Sequence, residues 1–248
     1  MLEGHISKAF DGELAGLHIR VLEMGGLVLD QVREAARAYV EWDPHTAQRV
    51  IERERAVADY AAAVYELQFT LIARRNPVAS DLRAIVGLGR TAHELERAGA
   101  DARRIARTVL AQSGRPGRST ASDARHLADL AFTLLRSSLE ALDVLDGEAA
   151  TVVIERDNDL DAEYAAGLRR LLSRAVENPA HLDVTVEAAF ALKALERVGD
   201  HACNVARQVA AMAGGAAQGG AVTAAGGTRS GEAGAGDAKP GEAGAEQG

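Results

Sequence analysis

The chain contains a near-copy of part of itself, and that duplication limits its fold more than any single motif does. Glu94-Leu95-Glu96-Arg97-Ala98-Gly99-Ala100 returns as Ala194-Leu195-Glu196-Arg197-Val198-Gly199-Asp200. At an offset of about a hundred residues, Ala102, Ala106, Arg107 and Val109 also pair with Ala202, Ala206, Arg207 and Val209. An earlier pair precedes each copy: Val50-Ile51-Glu52-Arg53-Glu54 and Val153-Ile154-Glu155-Arg156-Asp157. A tandem repeat demands a unit that packs against its own duplicate, and differences between the halves become informative.

Each unit reads as helices. Apolar residues make up 47% of the 248 but aromatics only 4%, an Ala- and Leu-rich balance that favours helix over sheet. The first helix covers residues 1 to about 41, with Ile6, Phe10, Leu14, Leu17, Val21, Met24, Val28, Val32, Ala35 and Tyr39 in steps of three and four. Gly25-Gly26 interrupts this stripe, which implies close approach of a neighbouring helix. Asp43-Pro44 restarts the chain as an N-cap and first helical residue, and Asn76-Pro77 ends the second helix after Arg74. A third helix runs from Ser80 to near Gln112. The spacing predicts a fourth over 121–145, a fifth over 148–177 and, after Asn178-Pro179, a sixth to about Met212.

The expected fold is therefore all-α, two tandem antiparallel three-helix bundles. The first repeat occupies residues 1–112, a Ser/Gly/Arg/Pro linker 113–120 and the second repeat 121–213. Residues 214–248 are Gly, Ala and scattered charge, a composition expected to stay disordered. The net charge of -8 argues against sequence-independent nucleic-acid binding. A single cysteine, Cys203, excludes an internal disulfide and fits a reducing compartment. No signal-like or membrane-length apolar run occurs, so a cytoplasmic protein without membrane insertion is expected.

The chemistry concentrates in the second repeat. Asp157 lies in an apolar seam with Val153, Leu160, Tyr164 and Leu171, and Asp161 follows four residues later on the same face. Glu196, Asp200 and Asn204 form a matching series on the last helix. If the two helices are neighbours, four carboxylates and an amide converge, and protons or a cation must relieve the repulsion. Oxygen ligands of this kind suit Mg²⁺, Ca²⁺, Mn²⁺, Fe or Zn²⁺. The alternative is that the carboxylates are solvated or paired with Arg156, Arg197 and Arg207. In the first repeat Ala58, Ala100 and Arg104 stand where the second has Asp161, Asp200 and Asn204, so metal is expected only in the C-terminal half.

Gly99 and Gly199, both mid-helix, admit either tight packing or an open path to a bound ion. Arg74, Arg75 and Arg83 around the Asn76-Pro77 turn are either solvated or a docking patch for an acidic partner or phosphate. No catalytic constellation is present. The seven histidines are scattered, His201 points about 100° away from Asp200, and no Glu-x-x-His pair of di-iron type occurs. Cys203, beside an apolar face, reads as structural. An enzyme is not expected.

With its duplicated Glu-Arg-x-Gly core, its Asn76–Arg83 turn and its opening from Ile6 to Gly26, the chain resembles the PhoU family of phosphate-transport accessory regulators, and does so from His5 to Met212. The resemblance implies two three-helix bundles and multinuclear metal binding through (Glu/Asp)-x-x-x-Asp motifs. Here these map onto Asp157 with Asp161 and Glu196 with Asp200, with Asn204 at the asparagine that often follows. Fe, Zn, Mn, Mg or Ni at one C-terminal site are the candidate cofactors. The resemblance also implies a homodimeric, non-enzymatic adaptor. Its partners would be the ATPase subunit of a phosphate ABC transporter and a phosphate-sensing histidine kinase, and it would restrain uptake and starvation signalling when phosphate is plentiful. A metal-sensing bundle, an oxidase or store of ferritin type, and a helical scaffold with an unrelated partner are the other readings.

Overall fold

Asp43 sets the first corner of the chain. Its carboxylate accepts the backbone N–H of His45 at 2.9 Å and the Thr46 hydroxyl at 2.6 Å, which satisfies free donors of the helix that Pro44 opens. Asn76 closes that helix in the left-handed region, φ 45°, its N–H bonded to the Ile72 carbonyl. Asp146 repeats the device further on, accepting the N–H groups of Glu148 and Ala149, each at 2.9 Å.

The computed structural model describes residues 3–77, 79–111 and 114–225. Between these corners run α1 (Glu3–Glu41), α2 (Pro44–Arg75), α3 (Ala79–Leu110), α4 (Arg118–Val144), α5 (Gly147–Glu155), α6 (Asp157–Glu177) and α7 (Leu182–Ala225). A 3-10 turn, Pro179–His181, leads into α7. Among the described residues there is no strand, and no helix is long and apolar enough to cross a membrane.

Two expectations require correction. The fifth helix is not continuous: it breaks at Arg156, whose backbone (φ −77°, ψ −4°) caps α5 and starts α6. Asp157-Asn158-Asp159 explains the break, because short polar side chains favour helix starts over helix interiors. The last helix does not stop at Met212 but extends to Ala225. A helix already nucleated can add residues without a new nucleus, so the chain continues past Met212 through the Gly- and Ala-rich stretch. For residues 226–248 the expectation of disorder lies outside the described residues.

Helices α1, α2 and α3 pack together, as do α4, α5–α6 and α7, and the two groups meet through α3 on α7 and α1 on α4. The third helix of each repeat thus lies at the centre. One continuous core joins both groups, running from Leu17, Met24 and Leu95 to Leu135, Leu195 and Val198, all essentially inaccessible. Along α3 and α7 the numbering runs in opposite senses. A Cβ on Gly87 would lie 2.6 Å from the Met212 sulfur, Glu94 meets Asn204 at 3.1 Å, and Asp101 meets Arg197 at 3.2 Å. The helices are therefore antiparallel and related by an approximate two-fold near Gly99 and Gly199. Of the glycine pair in α1, a Cβ on Gly25 would come 2.5 Å from Leu139 of α4, whereas one on Gly26 would meet nothing. Only Gly25 is needed for contact between the repeats.

Candidate metal centre

The break at Arg156 puts acidic residues where helix geometry favours them. Asp157 and Asp159 occupy the first turn of α6, at the positive end of its dipole, and Asp161 follows one turn on. Leu160 and Leu171 anchor this helix by burying against α7. Glu196 and Asp200 stand one turn apart on the facing side of α7. One carboxylate oxygen from each of Asp161, Glu196 and Asp200 lies within 4.8 Å of the others.

The electrostatics of this trio are unfavourable without a cation. Glu196 is buried, Asp200 half-buried and Asp161 exposed. Burial, reinforced by the neighbouring carboxylates, pushes the carboxyls of both Glu196 and Asp200 above their ordinary range. The buried Oδ1 of Asp157 has no hydrogen-bond partner. An oxygen-only donor set with unsatisfied lone pairs fits a hard cation such as Mg²⁺, Mn²⁺ or iron better than Zn²⁺ or Ni²⁺, which favour nitrogen and sulfur.

Of the five residues singled out from sequence, three converge. Asp157 borders them, acting on Asp200 by repulsion and lying 3.9 Å from Arg207. Behind it the Cys203 thiol is buried over the Val153 carbonyl at 3.8 Å, and burial with the adjacent Asp157 pushes it well above the usual thiol range. Asn204 faces the other repeat: its amide donates to Glu94 and its carbonyl accepts from Arg207 at 2.6 Å. Gly199 is covered by the buried Leu160 side chain, with Leu134 3.6 Å from a Cβ built there, so it serves packing and is not an open path to the cluster.

Of the arginines expected as counter-charges, Arg207 approaches Asp157 at 3.9 Å, but the cation against the trio is a lysine. Lys193, one turn before Glu196, brings its Nζ to 2.5 Å from both Glu196 oxygens and over the Tyr164 ring, 5.3 Å from its centroid. Arg197 turns instead to Asp101 at 3.2 Å. In the first repeat Glu54 pairs with Arg103 at 2.5 Å and Glu96 accepts the Tyr65 hydroxyl at 3.3 Å. Arg103 stands where the second repeat has Cys203, so there a guanidinium does the work of a cation. At the arginine turn, Arg75 is held by both oxygens of Glu13, at 2.8 and 3.0 Å, while Arg74 and Arg83 remain exposed.

Sequence reasoning missed a second polar group, between the repeats. The buried His201 places Nδ1 2.8 Å from Glu94 and Nε2 3.3 Å from Asp101, which is also held by Arg197 and by Arg104 at 2.9 Å. Burial raises the Glu94 carboxyl, but hydrogen bonds from His201 and Asn204 outweigh it and hold the group below its ordinary range.

Fold and site together define an all-helical class: two fused three-helix bundles with an acidic cluster between the last two helices of the second. The chain belongs to the PhoU family, whose PhoU domain matches residues 21–109 and again 124–209. A Rhizobium meliloti "Phosphate-specific transport system accessory protein PhoU homolog" is 38% identical, over 87% of this chain and 92% of the relative. The Escherichia coli "Phosphate-specific transport system accessory protein PhoU" is 31% identical, over 82% and 85%. The crystal structure of PhoU from Pseudomonas aeruginosa superposes with a TM-score of 0.79 at 33% identity, covering 82% of this chain and 98% of that one.

Proposed function

We propose that this protein is an accessory regulator of phosphate-specific transport. It restrains phosphate uptake and the phosphate-starvation response by linking the ATPase subunit of a phosphate ABC transporter to a phosphate-sensing histidine kinase. The observation that carries this reading is the near full-length match to relatives named as phosphate-specific transport system accessory proteins. An uncovered apolar surface supports the adaptor role. Leu182, Val186 and Phe190 are exposed at four-residue spacing at the start of α7, with Leu172 and Val176 exposed at the adjacent end of α6. Such a patch fits a protein partner or a second copy of the chain. The protein acts in the cytoplasm, at the inner face of membrane complexes, and catalyses no reaction.

The test is secreted phosphatase activity in a strain lacking the gene, grown in ample phosphate. High activity, returned to low by the restored gene, supports the repressing role. Low activity together with normal phosphate uptake in the deletion strain counts against it.

The acidic cluster favours one addition: a metal ion held by Asp161, Glu196 and Asp200 with Asp157 at the border. Bound there, a cation neutralises the repelling carboxylates and ties α6 to α7. Metal content checks this. Asp157→Ala combined with Asp200→Ala is expected to reduce bound metal to near nothing, and Glu96→Ala to leave it intact. Equal loss from both would remove the one-site reading.

A further inference from the structure

We propose that Lys193 is the resident counter-cation of the acidic cluster, an ammonium that a metal ion must displace, and that it thereby sets the affinity of the site. The inference rests on the metal reading of that cluster. Among the described residues Lys193 is the cationic side chain within hydrogen-bond distance of the trio, and it bridges both helices, bonded to Glu196 of α7 and lying over Tyr164 of α6. Its charge also acts on Asp200. A cation drawing on Glu196 together with Asp161 and Asp200 therefore meets a carboxylate that is already engaged.

The first repeat shows the same requirement met differently. Arg103 grips Glu54, Ala58 and Ala100 offer no carboxylate, and Glu96 is taken by the Tyr65 hydroxyl, so that guanidinium stays in place. Guanidinium is planar and binds carboxylates through a rigid fork, whereas ammonium is a point charge on a flexible stem. Lys193 is 46% exposed and can swing into solvent. It prevents the cluster from standing uncompensated before metal arrives, at a cost in affinity afterwards. Two alleles of one position therefore give opposite effects. Lys193→Met removes the competitor, and Lys193→Arg strengthens it.

The experiment is Mn²⁺ titration of the full chain by calorimetry, with bound Mn²⁺ counted by electron paramagnetic resonance. Wild type, Lys193→Met, Lys193→Arg and Asp161→Asn/Asp200→Asn are compared, the last also in the Lys193→Met background. Lys193→Met is expected to bind about tenfold tighter, the scale of one half-exposed charge-assisted hydrogen bond, and Lys193→Arg more weakly than wild type. Binding by Lys193→Met alone would equally support a resident ammonium. Equal or weaker binding by Lys193→Met, with wild type still binding through the aspartates, would overturn the role of Lys193 and leave the metal centre standing. Binding that survives loss of both aspartates, or no binding by any variant, would overturn both.

Discussion

Asp200 is the residue on which the second repeat's chemistry turns, and its protonation gives a signed expectation. Its carboxyl and that of Glu196 are raised on folding, chiefly by burial. The folded protein therefore holds these protons more tightly than the unfolded chain, and metal-free stability falls as pH rises from the ordinary carboxylate range through the raised values. Asp200→Asn in metal-free protein should raise the melting temperature at pH 7 by about 1–3 °C and change it little at pH 4. A calorimetric scan at both pH values decides, and equal shifts at both would contradict the repulsion argument. Glu94 has the opposite sign. Its depressed carboxyl contributes stability above the unfolded value that is lost as pH falls through the folded one. The acidic series on α6 and α7 was legible in the sequence, since four-residue spacing places side chains on one face. Lys193, three residues before Glu196, follows the same helical neighbour rule, but nothing in the sequence alone distinguishes it from the three nearby arginines as the partner of Glu196. The direction of Asn204 was not legible, because its partner Glu94 belongs to the other repeat.

At the scale of elements, the helices that carry the duplicated motif form the centre of the molecule. Their glycines do not act alike with others in the chain. Gly199 receives the fully buried Leu160, so Gly199→Ala should overpack and cost about 1–2 kcal/mol despite the better helix propensity of alanine. Gly26→Ala, in open space on α1, should instead stabilise by about 0.5–1 kcal/mol. Urea denaturation of the two variants provides the comparison. His201→Ala would remove a partner from both Asp101 and Glu94 and leave a void between α3 and α7, with Arg197, Arg104 and Asn204 still in place, and should destabilise by about 1–3 kcal/mol. The corners at Asp43 and Asn76 could be read from local capping chemistry, because the residues that make them are adjacent in sequence. The break at Arg156 was hidden by an apolar pattern that continues through it from Val153 to Leu160. The reach of α7 to Ala225 was hidden because composition registers glycine but not the support of a long helix already in place.

For the whole molecule, the repeat in sequence does not produce two independent halves. The core runs without interruption through α3, α7, α1 and α4, so thermal unfolding should give one cooperative transition. Residues 1–112 expressed alone should fail to form a stable monomer, since Ala98, Ala102 and Ile105 of α3 are fully buried in the intact chain. Two separate transitions in differential scanning calorimetry would refute the shared core. Equivalent positions of the duplication, 101 and 201, meet at the approximate two-fold. A symmetric pair built from two first repeats would set Asp101 against Asp101, and one built from two second repeats would set His201 against His201. The acid on one side and imidazole on the other make self-pairing of either half unfavourable and cross-pairing favourable. The duplication has thereby made its two halves complementary at their join, so a substitution at Asp101 or His201 is expected to be tolerated best alongside a matching change at the other.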